Sequence, residues 1–321
     1  MAPHGRGLES RPARPVKFWA STAFSPPSHY LALAPVLEDA GFHGMVLADH
    51  LITPKDPVSR YPYTADGRPG WAAGTAFPDV WVTVGALAAV TRTLEFASAV
   101  YVAPARDLFT VAKAVSTAAV LSGDRVTFGV GAGWMADEFE LTGQSFADRG
   151  RRLDEMLTVL RQLWSCEWVE HRGRYYDFPA VQMSPRPGRP VPVWTGGYSP
   201  AAIRRATSES DGWVGVASSE AAGEQIVEEL RAGLRAHGRE DVPFDITLSL
   251  PVPVTADLVQ RWGPRGVTGL IVRPWAGELD GELAGLASAQ GTELDRKVSA
   301  ARRFAVDVID VVNPASGTHL S

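Results

Sequence analysis

The sequence predicts one α/β domain folded as a (β/α)8 barrel, with insertions after the second and fourth strands. Short apolar segments alternate with segments of helical hydrophobic spacing along most of the 321 residues, and glycine, polar or charged residues stand where most apolar segments end. This alternation is typical of parallel strands joined by helices, and the sites of such barrels lie at the carboxyl ends of the strands. A doubly wound sheet with a second domain is the alternative, but no linker divides the chain.

The first four strand–helix units carry the clearest signals. Strands are predicted over residues 16–20, 44–48, 94–102 and 125–130, and helices over residues 31–40, 79–91, 108–122 and 151–164. A long polar connection follows the second strand at residues 51–77. Asp107 can cap the third helix and Gly123 can end it. The fourth helix has the most regular apolar stripe, formed by Leu153, Met156, Leu157, Leu160, Leu163 and Trp164.

The second half of the chain resumes the alternation after an interruption. Residues 168–178 predict a hairpin, and a proline-rich connector follows at 184–190. Further strands are predicted over 191–195, 212–216, 244–250 and 269–273, with helices over 200–208, 221–236, 256–262 and 293–309. The domain is expected to span residues 16–312, with tails at 1–15 and 313–321.

Composition and charge argue against several function classes. A net charge of −5 without a basic stripe gives no support for nucleic-acid binding. The apolar run at 80–90 is too short to span a bilayer, and no signal-peptide core follows the first arginines, so a cytoplasmic protein without membrane partners is expected. The single cysteine, Cys166, excludes an intrachain disulfide and a cysteine-rich zinc site. Only four of the 31 basic residues are lysines, which favours a GC-rich, actinobacterial source.

Two glycine-rich turns follow predicted strands. Gly196 and Gly197 open a helix, whose first N–H groups can bind a phosphate, although a tight turn needs glycine as well. Residues 131–136 spell G-x-G-x-x-A, but the dinucleotide fingerprint also needs an acidic residue after a second strand, about 20 residues on. That distance falls inside the predicted fourth helix, so a Rossmann site is rejected. The turns suit a flat cofactor with a phosphate group.

Asp49 and His50 end the second predicted strand. They could be metal ligands, an acid or base, or a polar strand cap. The other histidines show no ligand spacing and no H-E-x-x-H motif is present, so no metal site is predicted. A histidine at a barrel rim can exchange protons near neutral pH, which makes His50 a candidate acid or base.

Five segments form a recognisable series along the chain. They are G-F-H-G-M-V-L-A-D-H at 41–50, A-S-A-V-Y-V-A-P at 97–104, R-V-T-F-G-V-G-A-G-W at 125–134, R-G-R-R-L-D-E-M at 149–156 and P-V-W-T-G-G at 192–197. In this order and spacing they resemble the luciferase-like monooxygenase family, over residues 16–273. The chain looks most similar to the branch that uses the deazaflavin coenzyme F420. The resemblance implies a TIM barrel with insertions, in agreement with the predicted alternation.

The resemblance also implies a cofactor site. Asp49 and His50 would lie against the deazaflavin ring, with a cis peptide between Ala99 and Val100 behind it. Arg273 is assigned to the phosphate or the tail from its position at the end of the last strand. Glycines would flank the cofactor and hold its phosphate. Together, the candidate cofactor residues are Asp49, His50, Ala99, Val100, Gly131, Gly133, Gly196, Gly197, Tyr198 and Arg273.

Two positions depart from the sugar-phosphate dehydrogenases of this family. Those enzymes carry a tryptophan four residues after the histidine and a proton-donating glutamate directly after the Gly-x-Gly, where this chain has Pro54 and Trp134. Sugar-phosphate oxidation is therefore not expected. Aromatic residues would instead form a pocket for a larger, less polar substrate: Tyr61, Tyr63, Trp71, Phe77, Trp134 and Tyr198. The equal alternative is that those in the long connection only pack it onto the barrel.

Three functions follow from these observations. The first is an F420-dependent oxidoreductase that moves a hydride to or from an organic substrate, with His50 exchanging the proton. The second is a monooxygenase that uses reduced FMN from a separate reductase. The third is a barrel without chemistry that binds the cofactor or serves as a scaffold. A homodimer is one assembly that we consider.

Overall fold

Eight parallel strands close into a barrel in the computed structural model, which describes residues 15–64, 66–276 and 292–314. The barrel strands are β1 (Lys17–Ser21), β2 (Gly44–Leu47), β3 (Glu95–Ser98), β4 (Val126–Val130), β7 (Val193–Gly196), β8 (Gly212–Val216), β9 (Asp245–Ser249) and β10 (Gly269–Val272). β1 pairs with both β2 and β10, which closes the ring. The predicted barrel is confirmed. The predicted hairpin is present as β5 (Val169–Arg172) and β6 (Asp177–Val181), outside the barrel.

Helices follow the strands and cover the barrel. They are α1 (Tyr30–Asp39), α2 (Val80–Ala88), α3 (Leu108–Ser122), α4 (Ala136–Leu141), α5 (Arg149–Ser165), α6 (Pro200–Glu209), α7 (Glu220–Ala236), α8 (Ala256–Trp262) and α9 (Glu293–Phe304). A π-helical turn over Ala305–Ile309 and a last turn over Asp310–Val312 continue α9. None of the described helices is long and apolar enough to cross a membrane. The predicted tails at 1–15 and 313–321 fall almost entirely outside the described residues.

The barrel interior is a core of its own, made of Trp19, Val46, Ala97, Trp194 and Val214. The indoles of Trp19 and Trp194 meet edge to face, with ring centroids 5.2 Å apart. Glycines at the first positions of neighbouring strands leave them room. A Cβ on Gly44 would lie 2.4 Å from Trp19, and one on Gly212 would lie 2.5 Å from Trp194. The two indoles therefore occupy the barrel interior at the level where β2 and β8 begin.

The helices pack through the stripes that the sequence predicts. All six residues of the predicted α5 stripe are buried. Asp107 caps α3 through Thr110 N, and Gly123 ends that helix with φ of 68°. Glu38 holds the entry to β3 because its Oε1 accepts hydrogen bonds from the backbone N–H groups of residues 92–94. Burial alone would raise the pKa of Glu38, but these hydrogen bonds outweigh it and lower the pKa to about 2.

Strand β3 is shorter than predicted, because the chain bulges after Ser98. The Oγ of Ser98 donates a 2.7 Å hydrogen bond to the carbonyl of Gly129 on β4. The same carbonyl accepts from Tyr101 N at 2.8 Å, so pairing resumes only as an isolated bridge between Tyr101 and Val130. The bulge places residues 99 and 100 at the carboxyl mouth of the barrel.

Candidate active site at the carboxyl ends of the strands

Asp49, two residues after β2, is buried and fully engaged by neighbouring groups. Its oxygens accept 2.8 Å hydrogen bonds from Nη1 and Nη2 of Arg106, and Oδ2 also accepts from Val102 N at 2.9 Å. Burial raises the pKa of Asp49, while Arg106 and the Val102 N–H act in the opposite direction. Arg106 also lies 4.1 Å from the ring centroid of Tyr101. Asp49 therefore ties β2 to the segment after β3, a role that sequence reasoning missed together with Arg106.

His50 is held by a carboxylate from α4. Its Nδ1 lies 3.0 Å from Oε1 of Glu138, and the same oxygen accepts a 2.9 Å hydrogen bond from Leu51 N. The Glu138 side chain is 1% exposed and that of His50 is 10% exposed. Because a carboxylate only accepts, we assign the ring proton to Nδ1. Nε2 makes no hydrogen bond to any described residue and can exchange a proton with a bound molecule.

Sequence reasoning missed Glu138 because α4 is only six residues long and has no extended apolar stripe. The family resemblance directed attention to the position after Gly133, where Trp134 stands. That position does lack a carboxylate, but the site does not, since Glu138 follows four residues later and reaches His50. The signal that could have found it is the acidic pair at 137–138, because acidic residues favour the first turn of a helix.

The long connection between β2 and α2 covers the barrel mouth with a layer of aromatic rings. Tyr61 lies at its centre, with ring centroids 5.0 Å from Trp134, 5.1 Å from Trp71 and 5.2 Å from Tyr63. Trp71 and Trp134 also contact the His50 ring, at 5.4 and 5.7 Å. Four of the six predicted pocket residues are thus brought together, and two of these four contact His50. Trp71 and Trp134 border the imidazole, whereas Tyr61 and Tyr63 contact other rings of the layer. The contacts pack the connection onto the barrel, and the substrate pocket stays a prediction.

Two further rings complete this layer. Phe77 contacts His50 edge to face, with centroids 5.0 Å apart. Phe24, from the connection after β1, stacks on Trp71 at 6.1 Å. Sequence reasoning included Phe77 in the pocket but not Phe24, because no motif links the β1 connection to the long connection after β2.

The first turn of α4 fixes the long connection by hydrogen bonds. Asp137 accepts from the backbone N–H groups of Val58 and Ser59, both at 3.0 Å, and Ser59 Oγ accepts from Ala136 N at 2.7 Å. Hydrogen bonds from Ser59 and Val58 lower the pKa of Asp137 to about 2. One short helix therefore holds both His50 and the connection that covers it.

The Ala99–Val100 peptide bond is cis, as the resemblance implied. The Val100 side chain lies between two of the predicted cofactor glycines. A Cβ on Gly131 would lie 2.6 Å from Val100 Cγ2, and one on Gly196 would lie 2.5 Å from Val100 Cγ1. The protein's own packing therefore requires both glycines. Gly133 has φ of 84°, which also favours glycine.

Gly197, with φ of 115°, leads into α6. Ser199 caps this helix by accepting a 3.2 Å hydrogen bond from Ala202 N. The hydroxyl of Tyr198 accepts a 2.6 Å hydrogen bond from Val216 N and donates to the carbonyl of the same residue. Its ring contacts Tyr63 at 5.4 Å, so Tyr198 links the long connection to β8.

Arg273 lies away from the Gly196–Gly197 turn. It follows β10, which is three strands from β7 around the barrel. Its guanidinium carbon is 5.6 Å from the ring centroid of Phe24. It borders a cavity of about 310 Å³ together with Trp275 and Lys297. The strand order thus separates Arg273 from the Gly196–Gly197 turn, and its assignment to the phosphate or the tail stays a prediction.

Comparison with known proteins adds the family context. The model of the luciferase-like monooxygenase family matches residues 11–296. An uncharacterised protein of Mycobacterium bovis is 34% identical over 257 residues, which cover 80% of this chain and 88% of that protein. An F420-dependent glucose-6-phosphate dehydrogenase of Microbacterium testaceum is 28% identical over 253 residues, which cover 75% and 70%. A solved F420-dependent secondary alcohol dehydrogenase, in complex with an F420–acetone adduct, shares the fold with a TM-score of 0.69 at 15% identity, covering 93% of this chain and 99% of that one.

Proposed function

The chain belongs to the luciferase-like monooxygenase family, and on that premise we propose an oxidoreductase that uses coenzyme F420 to move a hydride to or from an organic substrate. The observation that carries the proposal is the state of His50. One of its nitrogens is held by Glu138, while the other has no partner among the described residues, at the carboxyl mouth of the barrel. The F420-dependent relatives support this choice of cofactor.

The residues at the mouth fit a flat ring that carries a phosphate group. Ala99 and Val100 are only partly buried and form an apolar surface on the bulge after β3. On the other side, Gly197 lies two residues before the N-cap Ser199 of the ten-residue helix α6, whose amino end favours an anion through the helix dipole. Ala99 and Val100 would hold the ring, Gly131 and Gly133 would flank it, and Gly197 would lie at the phosphate. When bound, F420 would accept or supply the hydride at C5 of its ring.

His50 exchanges the proton that accompanies the hydride. Nε2 takes it when the substrate is oxidised and returns it when the substrate is reduced, while Nδ1 keeps its proton toward Glu138. Trp71, Phe77 and Trp134 surround the imidazole, which limits access of water to it. Asp49 does not serve this step, because both of its oxygens are engaged by Arg106.

The aromatic layer favours an organic substrate with an apolar body. Tyr61 contacts three other rings and offers a hydroxyl beside them. Partial burial raises the pKa of Tyr61, so its hydroxyl stays protonated near neutral pH and can donate to a substrate oxygen. Trp134 stands where the sugar-phosphate dehydrogenases carry glutamate, which disfavours a sugar phosphate at this position.

Titration of the purified full chain with F420 and, separately, with FMN tests the cofactor. We expect micromolar F420 binding, seen as a change in deazaflavin absorbance or fluorescence, and much weaker FMN binding. Tight FMN binding without F420 binding would instead favour a reduced-FMN monooxygenase with a separate reductase. If neither cofactor binds, the barrel has lost the chemistry. Screening organic substrates with oxidised and reduced F420 then identifies the reaction and its direction.

A further inference from the structure

Helix α4 carries two adjacent carboxylates that face different partners. Glu138 contacts His50 Nδ1 and Leu51 N, whereas Asp137 contacts Val58 N and Ser59 N. The sequence pattern assigned neither residue a role. Substitutions at these two residues can therefore test the chemistry at His50 separately from the placement of the long connection.

We propose that Glu138 is the positioning residue for His50, and that it makes Nε2 the nitrogen that exchanges the proton. The proposal rests on the proposed role of His50 as acid or base. Glu138 does not itself exchange a proton with the substrate. It acts through the imidazole by fixing the tautomer and the direction in which the ring points.

Glu138 is held in place by a contact that does not involve His50. Oε1 of Glu138 accepts from Leu51 N at 2.9 Å, and a backbone N–H is a donor that does not titrate. The side chain is 1% exposed, so bulk water cannot replace either partner. The carboxylate therefore offers one oxygen at 3.0 Å from Nδ1, and the tautomer with the proton on Nδ1 satisfies this buried acceptor.

The rings around His50 oppose a flip of the imidazole. Phe77 and Trp134 meet it nearly at right angles, at interplanar angles of 77° and 81°, and Trp71 lies against it at 41°. A flipped ring would place a carbon atom against the carboxylate and leave the buried oxygen without this partner. Loss of a buried hydrogen bond of that kind is unfavourable, so the ring keeps the orientation with Nδ1 toward Glu138.

The carboxylate also affects the proton step electrostatically. When Nε2 takes a proton from the substrate and the hydride leaves to the cofactor, the imidazole becomes a cation beside Glu138. In the reverse direction Nε2 returns that proton and the ring becomes neutral. A buried carboxylate in contact with Nδ1 stabilises the cationic form, as in the His–carboxylate pairs of hydrolases.

Three variants separate this role from a purely structural one. Glu138→Gln keeps a carbonyl oxygen that can accept from both partners but removes the charge. Glu138→Ala removes the acceptor altogether. Asp137→Asn is the matched control, since it makes the same carboxyl-to-amide change on the neighbouring residue, which contacts the long connection and not His50.

The first readout is the 15N NMR spectrum of the histidine rings in the labelled full chain, with the His50 signals assigned by their loss in His50→Ala. We expect a protonated Nδ1 and an unprotonated Nε2 in the wild type, in Glu138→Gln and in Asp137→Asn. In Glu138→Ala this preference should be lost. A wild-type ring with its proton on Nε2, or an unchanged tautomer in Glu138→Ala, would overturn the proposal. This readout needs no cofactor, so it remains decisive if F420 does not bind.

The second readout is turnover with a substrate from the F420 screen. We expect kcat to fall about 10-fold in Glu138→Gln and about 100-fold in Glu138→Ala, with KM and F420 affinity within roughly threefold of the wild type. Asp137→Asn should change KM more than kcat, because it loosens the connection that covers the site. Equal kcat losses in all three variants would show that α4 acts only as a support, and the positioning role would then be rejected.

Discussion

The contact between Gly131 and Val100 allows a quantitative test of why glycine stands in the turn after β4. In Gly131→Ala the new methyl group would lie 2.6 Å from Val100 Cγ2 and 3.5 Å from its Cβ. Attractive carbon contacts lie at about 3.5–4.0 Å, so the clash with Cγ2 amounts to roughly 1 Å. Overpacking of this kind costs about 1–3 kcal/mol.

Val100→Ala removes Cγ2 and leaves only the ordinary 3.5 Å contact. We expect it to cost about 1 kcal/mol alone, since the side chain is partly buried. In the double variant the methyl group of residue 131 occupies part of the vacated space. The two changes should therefore compensate by about 1–2 kcal/mol, which exceeds the roughly 0.5 kcal/mol within which independent changes add.

The assay is urea unfolding of the wild type, both single variants and the double variant, followed by circular dichroism. Gly85→Ala in α2 is the matched control, because a Cβ there meets no atom within 4 Å. It should be neutral or stabilising by up to about 1 kcal/mol and should not couple to Val100→Ala. If Gly131→Ala costs nothing, or if its cost is independent of Val100, the packing explanation is wrong and the glycine is required only by a ligand.

Three further predictions concern the site and the fold. His50→Ala should lower turnover about 10²–10⁴-fold with little change in F420 affinity, whereas Gly197→Val should first weaken F420 binding. Stopped-flow kinetics measures the turnover, and fluorescence titration measures the affinity. Loss of F420 binding in His50→Ala with near-normal turnover would refute the acid/base role. Glu38 has a folded pKa of about 2, below the usual value of 4.5, so the stability it contributes is fully present above about pH 4.5 and is lost as the pH falls through 2. Unfolding at pH 7 and pH 3 should show that Glu38→Gln is destabilising by on the order of 1–2 kcal/mol at pH 7, after allowance for solvent screening, and by less than half of that at pH 3. Gly44→Ala should lower the free energy of unfolding by about 1–3 kcal/mol, measured in urea, because its Cβ would lie 2.4 Å from Trp19 and 2.5 Å from a β3 carbonyl. A neutral effect would show that the side chains in the barrel interior can shift to accommodate the methyl group.

The sequence predicts well those parts of the fold that depend on local periodicity. The α5 stripe is buried as predicted, and the bounds of α8 match the prediction at both ends. Strand β3 was predicted too long because a bulge interrupts an apolar run without changing its composition. Helix α4 was missed because six residues are too few to show helical spacing.

The candidate site could also be predicted only in part from the sequence. His50 and the aromatic residues could be proposed from motif and composition, and the structure brings them together. The partners of the site could not, since Glu138 is 88 positions from His50 and Arg106 is 57 from Asp49. Such contacts depend on which strands become neighbours in the barrel. The sequence also assigned Gly131 and Gly196 to the cofactor, although the Val100 side chain already requires them.

The barrel mouth has two sides with different tasks. The β2–β4 side carries His50, the apolar bulge at Val100 and, through α4, Glu138, and we propose that the proton is exchanged on this side. The β7–β8 side carries Gly197 and the start of α6, where we propose that the phosphate lies. Tyr198 joins the two, because its ring contacts Tyr63 while its hydroxyl bonds to the end of β8. A cofactor whose ring and phosphate lie at opposite ends would therefore span the mouth beneath the aromatic layer, and this placement explains why loss of His50 should affect catalysis while a change at Gly197 should affect binding.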